Sequence, residues 1–132
     1  MEYVCAAAGL FFVIVYAWLM DDAFVYFRYI DNFLFLDIGL VYNAGEYVEG
    51  FSSPLWMLVL LALRAFHMNY VVIVYAIGIA SFLAFAYLLI VLNRRLAPSE
   101  SRTNIALAYL CANYGVTCYF TSGLESPFVL LA

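Results

Sequence analysis

Asp21 and Asp22 stand side by side at the exit of a long apolar run. Two adjacent carboxylates there have a plain reading, a helix boundary or cap. They also have a chemical one. Close carboxylates raise one another's pKa unless a cation lies between them, so the pair invites a metal ion or an arginine. At a membrane surface such a pair is a candidate general base or metal site. Arg28 is the nearest cation in sequence. It is either an i, i+3 partner for Asp31 or a fork for a phosphate.

The elements that must position these residues are apolar. The chain has 132 residues, 69% hydrophobic and 11% charged. A soluble domain carries roughly 25% charged residues. So much apolar surface points to lipid, and to an all-α, multi-pass transmembrane bundle. The five basic residues are all Arg, and the net charge is −4. Nucleic acid is excluded as a partner, because it demands a basic stripe. Cys5, Cys111 and Cys118 all fall in apolar runs without metal-ligand spacing and read as buried thiols. Cys111 and Cys118 would share a helix face.

Residues 3–20 are uncharged and read as a first span, not a signal peptide, since no basic segment precedes them. Residues 22–36 read as an interfacial helix. Arg28, Asp31 and Asn32 form one narrow polar stripe on an otherwise apolar surface. Residues 39–50 read as turns, with Gly45 and Gly50 as breakers. Pro54 suits the first turn of a helix over 54–66. At 1.5 Å per residue that helix reaches only about 20 Å, against a hydrocarbon core of about 30 Å, so it does not span. Residues 70–92 and 105–120 read as further spans, with a polar loop at 93–104. His67, alone at the end of a short helix, reads as structural. Another apolar segment opens after Pro127, and the chain is expected to be the first part of a longer protein.

If 54–66 does not cross, the loop bearing Arg94, Arg95 and Arg102 is cytoplasmic, as the positive-inside rule requires. All the acids except Glu2 and Glu100 then lie outside, and Glu125 shares a face with Asp21 and Asp22. A carrier of protons or ions would place carboxylates in mid-membrane. Here they sit where headgroups meet water, which suits chemistry on a lipid phosphate. The HExxH, GxSxG and phosphate-cradling glycine motifs are absent from the sequence.

The stretch Asp21-Asp22-Ala23-Phe24-Val25-Tyr26-Phe27-Arg28-Tyr29 resembles the opening of the first extracytoplasmic loop in GT-C glycosyltransferases. The segment from Gly39 to Trp56, with Asn43-Ala44-Gly45 and Gly50-Phe51-Ser52-Ser53-Pro54, resembles the mycobacterial-type terminal arabinofuranosyltransferases. Ser122-Gly123-Leu124-Glu125-Ser126-Pro127 is similar to the second extracytoplasmic loop of that group. The group would carry Pro at position 44 and a basic residue at 47, where this chain has Ala and Tyr.

The resemblance implies an enzyme of the cytoplasmic membrane that moves a sugar from a polyprenyl-phosphate donor to an extracytoplasmic glycan acceptor. It implies that Asp21 and Asp22 carry catalysis. A divalent metal, Mg or Mn, would be held by Asp22 and Glu125, the latter a Glu where oligosaccharyltransferases carry Asp. Arg28 is the candidate phosphate contact. Asn43, Glu49, Ser52 and Ser53 are candidate sugar or loop-ordering contacts, with turn formation the alternative for Asn43 and Gly50. Tyr26 and Trp56 are among the aromatics suited to stacking on sugar. The competing functions are a transporter or flippase of lipid-linked sugars, and a non-catalytic membrane subunit.

Overall fold

The computed structural model describes residues 2–96 and 104–129. Among them are seven helices and no strand: α1 (Glu2–Val15), α2 (Asp21–Leu34), α3 (Pro54–Arg64), α4 (Tyr70–Leu96), α5 (Ile105–Ala112), α6 (Tyr114–Tyr119) and α7 (Ser126–Val129). The all-α reading holds. One helix, α4, is long and apolar enough to cross a membrane. Its 27 residues reach about 40 Å.

α4 is the spine, and two buried clusters share it. Around its first turns, Ile73 and Val74 pack with Ala23, Tyr26, Phe27 and Ile30 of α2 and with Trp56, Met57 and Leu60 of α3. Further along, Phe82, Ala86 and Ile90 pack with Val13 of α1 and Leu107, Leu110 and Cys111 of α5. At that far end Glu2 meets Arg94 at 3.3 Å, and Asn93 and Asn104 donate to its carboxylate at 3.1 and 3.4 Å. Partial desolvation raises the Glu2 pKa, but these hydrogen bonds outweigh it and hold the carboxyl below its usual value.

Three of the expected elements differ. The first, expected over 3–20, is helical only to Val15. Tyr16 to Met20 leave the helix because the chain beyond residue 117 engages them. The Trp18 indole donates to the Cys118 carbonyl at 3.2 Å, and the Met20 N–H donates to the Ser122 carbonyl at 2.8 Å. The second, 105–120, is not one helix. Asn113 takes extended backbone and its side chain accepts from the Val116 N–H at 3.1 Å, capping α6. Hydropathy does not register a cap inside an apolar run. The break also puts Cys111 and Cys118 on separate helices. Third, residues 93–96 continue α4 and do not form a loop. Residues 97–103 of the expected loop, with Glu100 and Arg102, lie outside the described residues, and Asn104 caps α5.

Two expected polar roles also change. The stripe on α2 does not simply face solvent. Asn32 is buried and donates to the Val41 and Tyr42 carbonyls at 2.7 and 3.0 Å. Asp31 does not pair with Arg28. It accepts from Arg64 at 3.1 Å and from the Tyr70 hydroxyl at 2.8 Å, which clamps α2 to the α3–α4 turn. In that turn His67 adopts φ 59° and its ring stacks on Phe35 at 5.3 Å, a structural helix-end role.

Gly78 marks a close approach of α4 to the backbone at Phe120. A Cβ there would run into the Phe120 carbonyl oxygen. Glycine to alanine inside a helix ordinarily stabilises by up to about 1 kcal/mol. Here overpacking against rigid backbone reverses the sign, and Gly78→Ala is expected to lose about 1–3 kcal/mol. Thermal unfolding in detergent micelles reads the difference; a raised midpoint would contradict this packing.

Candidate active site

The two segments expected to act as the first and second loops, residues 21–53 and 120–127, are brought together at the amino-terminal end of α4. Met20 caps α2 through its backbone, and its N–H is tied to Ser122. That hydrogen bond places the first turn of α2 beside the segment leading to Glu125. Asp21 and Asp22 form this turn and are exposed. Acidic side chains there complement the positive end of the helix dipole, so the plain boundary role is real for both.

Asp22 has a further position. It lines a cavity of about 500 Å³ together with Glu49, Ser52 and Glu125, with Tyr26, Phe51 and Leu124 as less polar wall. Tyr26 is the hub of that wall. Its hydroxyl lies 3.2 Å from Ser52 Oγ and accepts from the Ser53 N–H at 3.1 Å. Ser52 Oγ in turn donates to Glu125 Oε1 at 3.4 Å, joining the two loops. The Trp56 indole donates to the Gly123 carbonyl at 2.9 Å and fixes the backbone just before Glu125. Gly50 is needed for space: a Cβ would lie 2.9 Å from the Tyr29 hydroxyl, which itself donates to the Val48 carbonyl.

The other candidate residues lie elsewhere. Arg28 donates to the Tyr42 carbonyl at 2.9 Å and its guanidinium sits 4.9 Å from the Tyr42 ring centre. Asn43 donates to Glu46 at 2.8 Å within a tight turn, the turn-forming alternative. Neither lines the cavity, nor does Asp21. Ser53 precedes Pro54 as the N-cap of α3, without a side-chain cap bond. Trp56 is buried, so it is a strut and not a stacking platform. Tyr26 stood out in the sequence only as an aromatic. Its hydroxyl role depends on the path of residues 51–53, which no local spacing reveals.

The described lining holds three carboxylates and no basic side chain. It can accept protons and hydrogen bonds from hydroxyl groups, and it repels a bare phosphate. A divalent ion would alter that balance. Among the described residues, however, no group of three or more His, Cys, Asp or Glu stands close enough to hold one. The expected pair, Asp22 and Glu125, lines the same cavity but is joined by no third close ligand of these types among the described residues.

Comparison of the chain with protein-family models, with curated proteins and with solved structures found no match.

Proposed function

We propose that the chain forms the membrane-embedded entry part of a glycosyltransferase of GT-C type, using a polyprenyl-phosphate sugar as donor and a glycan as acceptor. The observation that carries the reading is the shared cavity. Asp22 and Glu49 from the first loop and Glu125 from the second line one space. The acceptor hydroxyl enters that space, and the donor phosphate stays outside the acidic lining, which would repel it. A carboxylate within about 2.6–3.2 Å takes its proton as the oxygen attacks the anomeric carbon. The bond from that carbon to the phosphate oxygen breaks, and the polyprenyl phosphate leaves with its charge. Direct displacement inverts the anomeric centre. Asp22 is the assigned base.

The multi-pass arrangement and the extracytoplasmic side belong to the same proposal. They are supported by the charge layout along α4: Arg94 and Arg95 close its last turn, while the cavity adjoins its first. The break at Asn113 favours a second reading. Interrupted helices are a feature of transporters, and α5 and α6 make one apolar run interrupted by a polar residue.

One experiment separates the two. The full-length protein in liposomes is given a labelled polyprenyl-phosphate sugar and a glycan acceptor. Label appearing on the acceptor is the expected result. Label crossing the bilayer while still on its lipid, with none transferred, would establish the transporter instead. Label that neither transfers nor crosses would sink both readings.

A further inference from the structure

α3 is apolar on both sides. Trp56, Met57 and Leu60 are buried against α2 and α4. Leu55, Leu58 and Ala62, with Phe66 in the turn just past the helix end, follow at spacings of three and four and form a second stripe on the outside. Leu55, Leu58 and Phe66 are 67%, 61% and 78% exposed. A helix apolar all round belongs in a core or in lipid.

The only charge on α3 is Arg64, and it is turned away from the stripe. It is bound to Asp31 and lies over the Tyr70 ring at 4.6 Å. Depth follows from what α3 touches. It shares a buried cluster with Ile73 and Val74 of α4, and Arg64 meets Tyr70. Tyr70 to Val74 is about 6 Å along the helix axis. If α4 spans, α3 lies within the outermost 5–10 Å or so, the depth at which amphipathic interfacial helices rest. The stripe is continuous in character with Val71 and Val72, which are 40% and 55% exposed on α4 at that level.

We propose that the outer stripe of α3 is a lipid-contact surface, seated at the boundary between headgroups and acyl chains in the leaflet at the amino-terminal end of α4. The occupant is lipid, not a second copy and not another helix of the protein. The assignment does not depend on whether the protein transfers or transports sugar.

The test uses the full-length protein with Cys5, Cys111 and Cys118 replaced by Ala. Leu58→Cys and Phe66→Cys are labelled singly with an environment-sensitive fluorophore. Both side chains are exposed, so neither change opens a cavity. Asn43→Cys, on an exposed turn, is the water-facing comparison. Each variant is reconstituted in phosphatidylcholine vesicles carrying a nitroxide near the headgroup or near the chain end, and flotation verifies insertion. At positions 58 and 66 the shallow nitroxide is expected to quench at least about twofold more than the deep one, with little quenching by aqueous iodide. Position 43 should show the reverse sensitivity to iodide. Quenching of 58 and 66 by iodide alone would place the stripe in water. Stronger quenching by the deep nitroxide would make α3 a crossing segment. Protection from both quenchers would mean that protein covers the stripe. A chain that fails to float with the vesicles would remove the lipid from the argument altogether. Any of these four results overturns the assignment.

Discussion

Asp22→Asn is expected to slow sugar transfer by about 10²–10⁴ while leaving the protein in the membrane. Asn keeps the size of Asp and can still hydrogen-bond, but it cannot take the hydroxyl proton. The magnitude is what discriminates. A lost neutral hydrogen bond is worth about 0.5–1.5 kcal/mol, or roughly tenfold at most. A lost general base exceeds that. Glu125 already accepts from Ser52, so it is the wall partner and not the assigned base. Glu125→Gln keeps a carbonyl oxygen for Ser52 and should fall in the smaller range. Turnover by purified full-length protein, with membrane extraction as the insertion control, measures both. Near-normal turnover in each single variant and in the double variant would defeat the transferase assignment at this cavity. A larger loss for Glu125→Gln than for Asp22→Asn would exchange their roles.

Gly123→Ala should be the most damaging single-methyl change near the cavity. Gly123 sits at φ +88°, and a Cβ there would lie 2.6 Å from the Ala23 Cβ and 3.3 Å from Leu19 Cδ2. The left-handed backbone alone costs a non-glycine residue about 1–2 kcal/mol. Overpacking adds about 1–3 kcal/mol. The Gly123 carbonyl is also the acceptor for Trp56, so relief of the clash must pull on that hydrogen bond and on Glu125 beyond it. Gly39→Ala is the matched comparison: φ is +89° and its Cβ would meet nothing within 4 Å. Gly39→Ala should lower the unfolding midpoint only by its backbone strain. Gly123→Ala should lower it further and reduce transfer as well. Equal midpoints for the two would show that the close packing between Gly123 and Ala23 does not matter.

What the sequence disclosed and what it concealed divide along a physical line. α4 was legible because a long charge-free run has few alternatives. α3 was legible from Pro54 at its start and Arg64 near its end. α2 was legible over most of its length, read as 22–36 and found at Asp21–Leu34, because its polar residues fall in one stripe. The shortening of α1 was not, because the carbonyls that hold Trp18 and Met20 belong to Cys118 and Ser122, a hundred residues along the chain. The break at Asn113 hides inside an apolar average. The partner of Asp31 was misread because an i+3 spacing suggests Arg28, whereas folding delivers Arg64 and Tyr70 together.

The candidate site shows the same division. Asp22, Glu49, Ser52 and Glu125 were all named from sequence, and they do line one cavity. Arg28 and Asn43 were named beside them but hold a turn outside it. Residue type pointed to the acids. It did not reveal that Tyr26 would connect the two loops through Ser52.

The join between the loops also has a timetable. Ser52 and Glu125 are separated by 73 positions, and Trp56 and Gly123 by 67. At about 5–20 residues per second of synthesis, the first wall waits roughly 4–15 s for the second. What waits is suited to waiting. Asp21 and Asp22 are exposed in the finished fold and need no later partner to neutralise a buried charge. Trp56 has an apolar body and one polar N–H, the combination that rests most easily at a membrane surface. The arrival of Gly123 then supplies the acceptor for the Trp56 indole and closes the loop.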